Sequence, residues 1–284
     1  MDAFLLEAAI NGLLLAGVLA LLTLGLNLIF GVIDVVWIAY ADLVMCGMYA
    51  VYWLFVVFGW PLPLAFAVSV VGVAVLGVLV HLLIIAPILG SAPINQLLAT
   101  GGLLYFLQSF ATLLFGTDFR NLGIRLPIIE LGDIYISYAR LLAFAVALIG
   151  AVALYLFLKR TFIGTAIRAI AQDRDIIGLM GADQRRIYLF TSMIGGGLAG
   201  LAACLLALQY DVHPFIGNTF GPLIFMICVL GGLGDMIGGF VAAFVISQII
   251  AIGGYYANTE LSYVLAFTFF IVLMFVRPRG ILSR

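Results

Sequence analysis

The sequence predicts an all-α integral membrane protein, a polytopic helical bundle of about seven to nine membrane segments with broken or re-entrant helices. Hydrophobic residues make up 66% of the chain and charged residues 9%, and the mean hydropathy is +1.31. A soluble domain has roughly 25% charged residues. Charged residues are also absent from long stretches, including all of 8–33 and 43–117. A soluble cytoplasmic enzyme is therefore excluded.

The charge-free stretches define the individual membrane segments, because a spanning helix needs about 20 apolar residues. The acidic start of the chain contains no base, so the first apolar run is expected to be a retained helix rather than a cleaved signal. Glycine and proline at 59–63 and 87–93 break the longest stretch into separate helices. The predicted helices lie near 8–30, 35–57, 62–86, 94–115, 139–158, 187–209 and 261–276.

The distribution of lysine and arginine predicts the orientation. Six of these residues fall in the loop 159–186 and three in 277–284, so the positive-inside rule places both segments in the cytoplasm. The loop 118–140 and the acidic N-terminus are then expected to face outward. Under this count the stretch 218–253 must begin and end outside. It must make two short passes or a re-entrant hairpin around Gly231–Gly234, unless an earlier helix is broken.

The composition and motifs exclude several kinds of chemistry. A net charge of -1 gives no basic surface for nucleic acid. The three cysteines have no C-x-x-C spacing, the two histidines form no H-E-x-x-H motif, and we expect no metal site. Lys159 is the only lysine, and it follows no glycine-rich P-loop. This chain is therefore not expected to bind ATP itself, and any ATPase would be a separate subunit.

The loop 159–186 carries a stripe of apolar residues among its charges. Ile163, Ile167, Ile170, Ile177 and Met180 recur at helical spacing. Such a stripe must cover something, and the two alternatives are the lipid surface or a groove on a soluble partner.

Three aspartates lie within or near apolar segments, where charge is costly. They are Asp34, Asp42 and Asp235, and each is close to a helix break. One interpretation places them on a solute path made by broken helices. The other makes them interfacial residues or helix caps. The pairs Gly196/Gly200 and Gly234/Gly238 have the small-xxx-small spacing of close helix packing.

Four ordered motifs resemble one family along nearly the whole chain. They are GLNLIFGV at 25–32, GTAIRAIAQD at 164–173 continuing to Leu179 and Gly181, VLGGLGDMIGG at 229–239, and VRPRGIL at 276–282. Together they resemble the branched-chain amino acid permeases of bacterial ABC importers, the LivH-type membrane subunit. The sequence departs from the family pattern at Tyr40, where histidine is usual, at Asp42 and at Asp235, where serine is common. These departures leave the solute open among branched-chain amino acids, amides, urea and other small polar or amphipathic molecules.

The resemblance implies one permease domain over 1–284, in the bacterial inner membrane, that is not an enzyme. The implied partners are two cytoplasmic ABC ATPase subunits that bind ATP and magnesium, a second homologous permease subunit and a periplasmic solute-binding protein. No cofactor is expected on this chain. The loop 159–186 is expected to contain the coupling helix that docks the ATPase. Its candidate docking residues are Gly164, Ile167, Arg168, Ile170, Gln172, Asp173, Leu179 and Gly181.

The solute path is the remaining site predicted from the sequence. Polar side chains and broken helices can replace the hydration of a passing solute. The candidates are Asn27, Tyr40, Asp42, Gly231, Gly232 and Gly234. The alternative function is a self-sufficient proton-coupled secondary transporter in which Asp34, Asp42 or Asp235 takes up the proton. An intramembrane enzyme is disfavoured because no nucleophile and base pair stands at a recognisable spacing.

Overall fold

A computed structural model describes residues 3–124, 127–131, 134–172, 183–256, 258–277 and 280–281. Within these ranges, eight helices are long and apolar enough to cross a membrane, and one apolar helix is shorter. The prediction of an all-α polytopic membrane protein is confirmed. The helices are α1 (Ala3–Ile33), α2 (Tyr40–Val57), α3 (Leu62–Ile88), α4 (Pro93–Phe115), α5 (Tyr138–Arg160), α6 (Phe162–Gln172), α7 (Gln184–Ala207), α8 (Ile216–Gly231), α9 (Met236–Tyr256) and α10 (Thr259–Val276).

Helices α2 and α3 each contain one π turn, at Trp53–Val57 and His81–Ile85. The loop between α4 and α5 contains the antiparallel strands β1 (Ile128–Leu131) and β2 (Ile134–Ser137), with Ile128 opposite Ser137. We call the end of the bundle that carries these strands the hairpin end. The opposite end, where α5 stops and α7 begins, is the loop end.

Helix α1 lies at the centre of the bundle. In the most apolar 18-residue stretch of α1, 83% of the residues are buried, whereas the figure for the corresponding stretch of α10 is 11%. It packs against α5, α7 and α9, and it runs antiparallel to α9. Gly12 faces Ala251 near the hairpin end, and Gly31 faces Gly234 near the loop end. The helix is apolar on all sides, as expected of a helix surrounded by other helices.

The short helix α8 settles the predicted ambiguity in the stretch 218–253. It begins beside the hairpin-end loops and ends at Gly231, which lies against Gly280 at the loop end. Its 16 residues span about 24 Å at 1.5 Å per residue, somewhat less than a typical hydrocarbon core. Helix α9 then returns to the hairpin end. The stretch therefore makes two passes, and the described parts of the two chain ends lie at opposite ends of the bundle.

The helix predicted over 35–57 begins only at Tyr40, which corrects the sequence analysis. Asp34 has a φ of 58°, and its N–H donates to Phe30 O at 2.8 Å, so α1 ends in a left-handed residue. This conformation turns the chain away from the axis of α1. Residues 34–37 are non-helical, and the side chains of Val35 and Trp37 are buried within the bundle.

The glycines of α7 allow its backbone to approach that of α3. A Cβ atom at Gly196 would lie 2.8 Å from Val73 O, and one at Gly200 would lie 3.0 Å from Val70 Cα. On α3, a Cβ atom at Gly77 would lie 2.8 Å from Ser192 O. The spacing of Gly196 and Gly200 therefore reflects close helix packing.

Candidate functional site

An apolar cavity of about 530 Å³ lies about half-way along the bundle, between α4 and α8. It is bordered by α1, the non-helical segment before α2, the first turn of α2, and helices α4 and α8. Tyr40 indicates this position, because its hydroxyl donates to Gly195 O at 2.9 Å and Gly195 is near the midpoint of α7. The lining residues include Leu26, Val36, Trp37, Ile38, Tyr40, Leu104, Asn218 and Phe225.

A cluster of polar side chains adjoins this cavity. Gln108 Nε2 donates to Asp42 Oδ1 at 3.0 Å and to Asn218 Oδ1 at 2.8 Å. Asp42 is fully buried and Gln108 is almost so, whereas Asn218 is exposed and lines the cavity. Gly217 makes room for the carboxylate, because a Cβ atom there would lie 2.6 Å from Asp42 Oδ1. Asp42 Oδ2 is buried and makes no hydrogen bond to any described residue.

A second, more polar cavity of about 980 Å³ opens at the loop end. His81, at the start of the π turn in α3, lies 2.9 Å from Ser192 Oγ through its Nδ1 atom. Gln184 Nε2 donates to the hydroxyl of Tyr188 at 2.6 Å. The lining residues include Asp34, Val35, Val36, His81, Ser91, Gln96, Gln184, Arg185 and Tyr188.

The non-helical segment 34–39 separates the two cavities. Val36 lines both of them, and its carbonyl accepts a hydrogen bond of 3.0 Å from Thr100 Oγ1 on α4. Thr100 is fully buried, and its single hydroxyl hydrogen is shared between Val36 O and Gln96 O, which lies at 2.8 Å. We call this segment the partition. It is held to α4 by a side chain and joined directly to α2, so movement of either helix can displace it.

The predicted path residues fall into two separate groups. Tyr40 and Asp42 lie at the apolar cavity. Tyr40 lines it, whereas Asp42 does not line it and is connected through Gln108 to the lining residue Asn218. Asn27, Gly231, Gly232 and Gly234 instead meet at the turn between α8 and α9. Their contacts there are with one another and with neighbouring helices, and none of the four lines either cavity described above.

Asn27 holds the turn between α8 and α9 in place. Its Nδ2 donates to Asp235 O at 3.0 Å, and its Oδ1 accepts from Gly234 N at 3.3 Å and from Cys228 Sγ at 2.6 Å. Gly232 and Gly234 have φ values of 100° and 84°, which favour glycine. The glycines thus shape the turn, and a buried amide fixes it to α1.

Asp34 and Asp235 occupy positions at helix ends. Asp34 terminates α1, as described above. Asp235 caps α9, since its Oδ1 accepts from Ile237 N at 2.9 Å and from Gly238 N at 3.1 Å. Of the three aspartates, Asp42 is the one buried inside the bundle.

The part of the apolar stripe that lies on α6 faces the protein's own bundle, which corrects the expectation that it covers lipid or a partner, whereas Ile177 and Met180 lie outside the described residues. Ile167 and Ile170 are each 1% exposed, and α6 packs against α1, α5 and α7. Gly164 is buried at the corner with α5, where a Cβ atom would lie 2.5 Å from Leu158 Cα. Gly164, Ile167 and Ile170 therefore lie on the side of α6 that packs against the bundle.

The outward face of α6 contains the other predicted docking residues of this helix. Phe162 is 83% exposed, and Thr165, Arg168 and Gln172 are exposed on the same side at a spacing of three to four residues. Aromatic residues and arginine are both enriched at protein interfaces. Asp173, Leu179 and Gly181 lie outside the described residues.

The sequence analysis missed Thr100, Gln108 and Asn218. All three are uncharged and lie in apolar helices, so neither charge counting nor motif spacing distinguishes them. The available signal was the placement of Gln108 and Asn218 within otherwise apolar runs, where an amide needs a partner.

Comparison with known proteins gives consistent matches along the chain. A family model described as the permease component of branched-chain amino acid transport systems matches residues 8–274. The high-affinity branched-chain amino acid transport system permease protein BraD of Pseudomonas aeruginosa is 29% identical over 294 residues, covering 98% of this chain and 96% of BraD. The corresponding protein LivH of Escherichia coli strain K12 is 26% identical over 300 residues, covering 99% and 96%.

Among solved structures, a chain of PsaBC from Streptococcus pneumoniae in complex with Fab is similar in fold. The TM-score is 0.50 at 14% sequence identity, and the match covers 95% of this chain and 91% of that chain. At this level of identity the likeness concerns the fold alone.

Proposed function

Because this chain belongs to the family of permease components of branched-chain amino acid transport systems, we propose that it moves a branched-chain amino acid or a related small amphipathic solute across the bacterial inner membrane as one subunit of an ABC importer. The chain is a transporter subunit and not an enzyme. The observation that supports the proposal best is the pair of cavities divided by the partition. Solute held at half height in the apolar cavity needs only a displacement of the partition to reach the polar cavity.

The charge distribution supports the proposed orientation. Lys159, Arg160, Arg168, Arg185 and Arg186 all lie at the loop end or in its connecting segment, so we place this end in the cytoplasm. The polar cavity then opens to the cytoplasm, and the hairpin end with the N-terminus faces the periplasm. In this orientation a periplasmic solute-binding protein would deliver solute at the hairpin end.

The outward face of α6 is the proposed docking surface for a cytoplasmic ATPase. Phe162 offers an apolar anchor, and Arg168 and Gln172 offer polar contacts around it. Because Ile167 and Ile170 hold α6 against α1 and α7, movement of α6 would be passed to the bundle. The ATPase would bind ATP and magnesium, and this chain would bind neither.

The test is to extract the tagged permease from native membranes in mild detergent and to identify the co-purifying chains by mass spectrometry. We expect ABC ATPase subunits and a second homologous permease. Phe162→Asp should remove the ATPases while the two permeases stay together. Thr165→Ser, on the same face, is the matched control. Recovery of this chain alone, with solute uptake driven by a proton gradient, would contradict the proposal.

The burial of Asp42 favours one second candidate, a proton-coupled carrier. Its unpartnered Oδ2 atom is a position where a proton could bind. In that case Asp42→Asn should abolish the dependence of uptake on the proton gradient in liposomes that contain no ATPase. The importer should need ATP both before and after the same substitution.

A further inference from the structure

We propose that Asn218 binds an oxygen atom of the solute through its side-chain NH2 group, and that Asp42 sets the orientation of this group through Gln108. The inference rests on the proposed function, because it takes the apolar cavity as part of the solute path. It adds to that function a binding residue, Asn218, and a positioning residue, Asp42.

The orientation of Gln108 follows from the chemistry of Asp42. Asp42 Oδ1 accepts a hydrogen bond of 3.0 Å from Gln108 Nε2, as it does whether the carboxyl is ionised or carries its proton on Oδ2. An NH2 group has two hydrogens. The second one points to Asn218 at 2.8 Å, and both donors of Gln108 are therefore used.

The orientation of Asn218 follows in turn from that of Gln108. Because Gln108 presents a donor, Asn218 must present its acceptor Oδ1. The Nδ2 atom of Asn218 is then left with two hydrogens and no hydrogen bond to a described residue. Asn218 is exposed and lines the cavity, so this free donor is available to a molecule inside it.

The other polar side chains of the cavity wall are less available. The hydroxyl of Tyr40 already donates to Gly195 O at 2.9 Å. The indole nitrogen of Trp37 is buried. Asn218 is therefore the lining side chain, within the described residues, that offers an accessible free donor.

The chemistry of the cavity defines the class of ligand. Its wall is formed largely by aliphatic and aromatic side chains, which suit a branched aliphatic group. A neutral NH2 donor suits a carboxylate or a carbonyl oxygen. The described lining contains neither lysine nor arginine, so this chain would hold a carboxylate by a hydrogen bond from a neutral donor and not by an ion pair.

The test measures binding of small molecules to the assembled permease complex in lipid nanodiscs, without the solute-binding protein, by saturation-transfer NMR. Removing a hydrogen bond to a charged group should raise the Kd for leucine by about 10- to 150-fold in Asn218→Leu. Leucinamide has a carbonyl but no carboxylate. Comparing the increase in Kd for leucinamide with that for leucine in Asn218→Leu therefore shows which oxygen is bound. The ligand 3-methylbutylamine has no oxygen and should bind to both proteins equally.

The matched protein control is Asn95→Leu, because Asn95 is exposed on the same helix as Gln108 but lines neither cavity. It should leave the Kd for leucine unchanged. The inference would be overturned if Asn218→Leu left the Kd for leucine unchanged, or if it raised the Kd for 3-methylbutylamine as much as that for leucine.

The positioning role of Asp42 has its own readout. Asp42→Leu should raise the Kd for leucine, because Gln108 can then turn its carbonyl toward Asn218. Asp42→Asn keeps an acceptor at the same place and should restore binding in part. A purely structural role for Asp42 would lower the yield of the complex without changing the Kd of the recovered protein, and that result would refute the positioning step.

ATP-driven uptake, measured beside leucine binding, distinguishes a failure of this inference from a failure of the proposed function. If the complex takes up leucine with ATP in liposomes but Asn218→Leu binds leucine normally, only the inference fails. If the complex shows no ATP-driven uptake, the proposed function fails and the inference fails with it.

Discussion

Replacing Thr100 by valine should loosen the partition between the two cavities. Valine has nearly the same shape as threonine but cannot donate a hydrogen bond. The substitution removes the hydroxyl hydrogen that is shared between Val36 O at 3.0 Å and Gln96 O at 2.8 Å, and Gln96 belongs to the same helix. Of these two bonds, the one to Val36 holds the partition, because it joins two separate segments of the chain.

The size of the effect follows from this one bond. A neutral hydrogen bond contributes about 0.5–1.5 kcal/mol net. If the bond is present only when the partition is closed, its loss raises the population of the displaced state by about 2- to 13-fold. We expect leakage of solute through the resting transporter to rise by the same factor.

The assay is efflux of preloaded radiolabelled leucine from liposomes that contain the complex and no ATP. Thr112→Val is the matched control, since Thr112 lies on the same helix and donates only to Gln108 O one turn away. The reasoning would be refuted if leucine leaked through Thr100→Val no faster than through the wild type. Equal leakage through both valine variants would show that the bond to Val36 is not the cause.

Further predictions concern packing, docking and pH. Gly196→Ala should lower the thermal unfolding midpoint because its methyl group meets the backbone of α3, whereas Gly197→Ala, with its nearest contact at 3.7 Å, should leave the midpoint unchanged. Ile167→Asp should reduce the amount of folded permease, because the side chain is buried, whereas Phe162→Asp should release the ATPase from a permease that still unfolds at the wild-type temperature. Burial lowers the pKa of His213 from its ordinary value of 6.5, so the unfolded chain takes up the proton first. The stability contributed by neutral His213 should be present above pH 6.5 and be lost as the pH falls below it, and His213→Gln should flatten this dependence in melting curves.

The sequence predicted those features that depend on local composition. Long apolar runs located the helices, and glycine located the turn between α8 and α9. The position of Asp235 before an apolar run was compatible with a helix cap, and its carboxylate does cap α9. In each case the physical cause lies within a few residues of the effect.

Features that depend on contacts between distant segments were not predictable. The amphipathic pattern of α6 indicated that one face is buried, but the pattern is the same whether a partner or the protein's own bundle covers it. Similarly, Tyr40 in the first turn of α2 is bonded through its hydroxyl to Gly195 on α7, which lies 155 positions away. The cluster of Asp42, Gln108 and Asn218 draws its members from three helices, and no spacing in the sequence brings them together.

The pairing of α1 with α9 has a consequence for biosynthesis. Asn27 is made early, but its partner Asp235 follows 208 positions later. At about 5–20 residues per second, ribosomes need about 10–40 seconds to make that length of chain. During this interval the amide of Asn27 must find a provisional partner in the membrane, such as water, lipid or the insertion machinery. The innermost helix is therefore made before its partner α9, and it gains this part of its native surroundings only when α9 has been made.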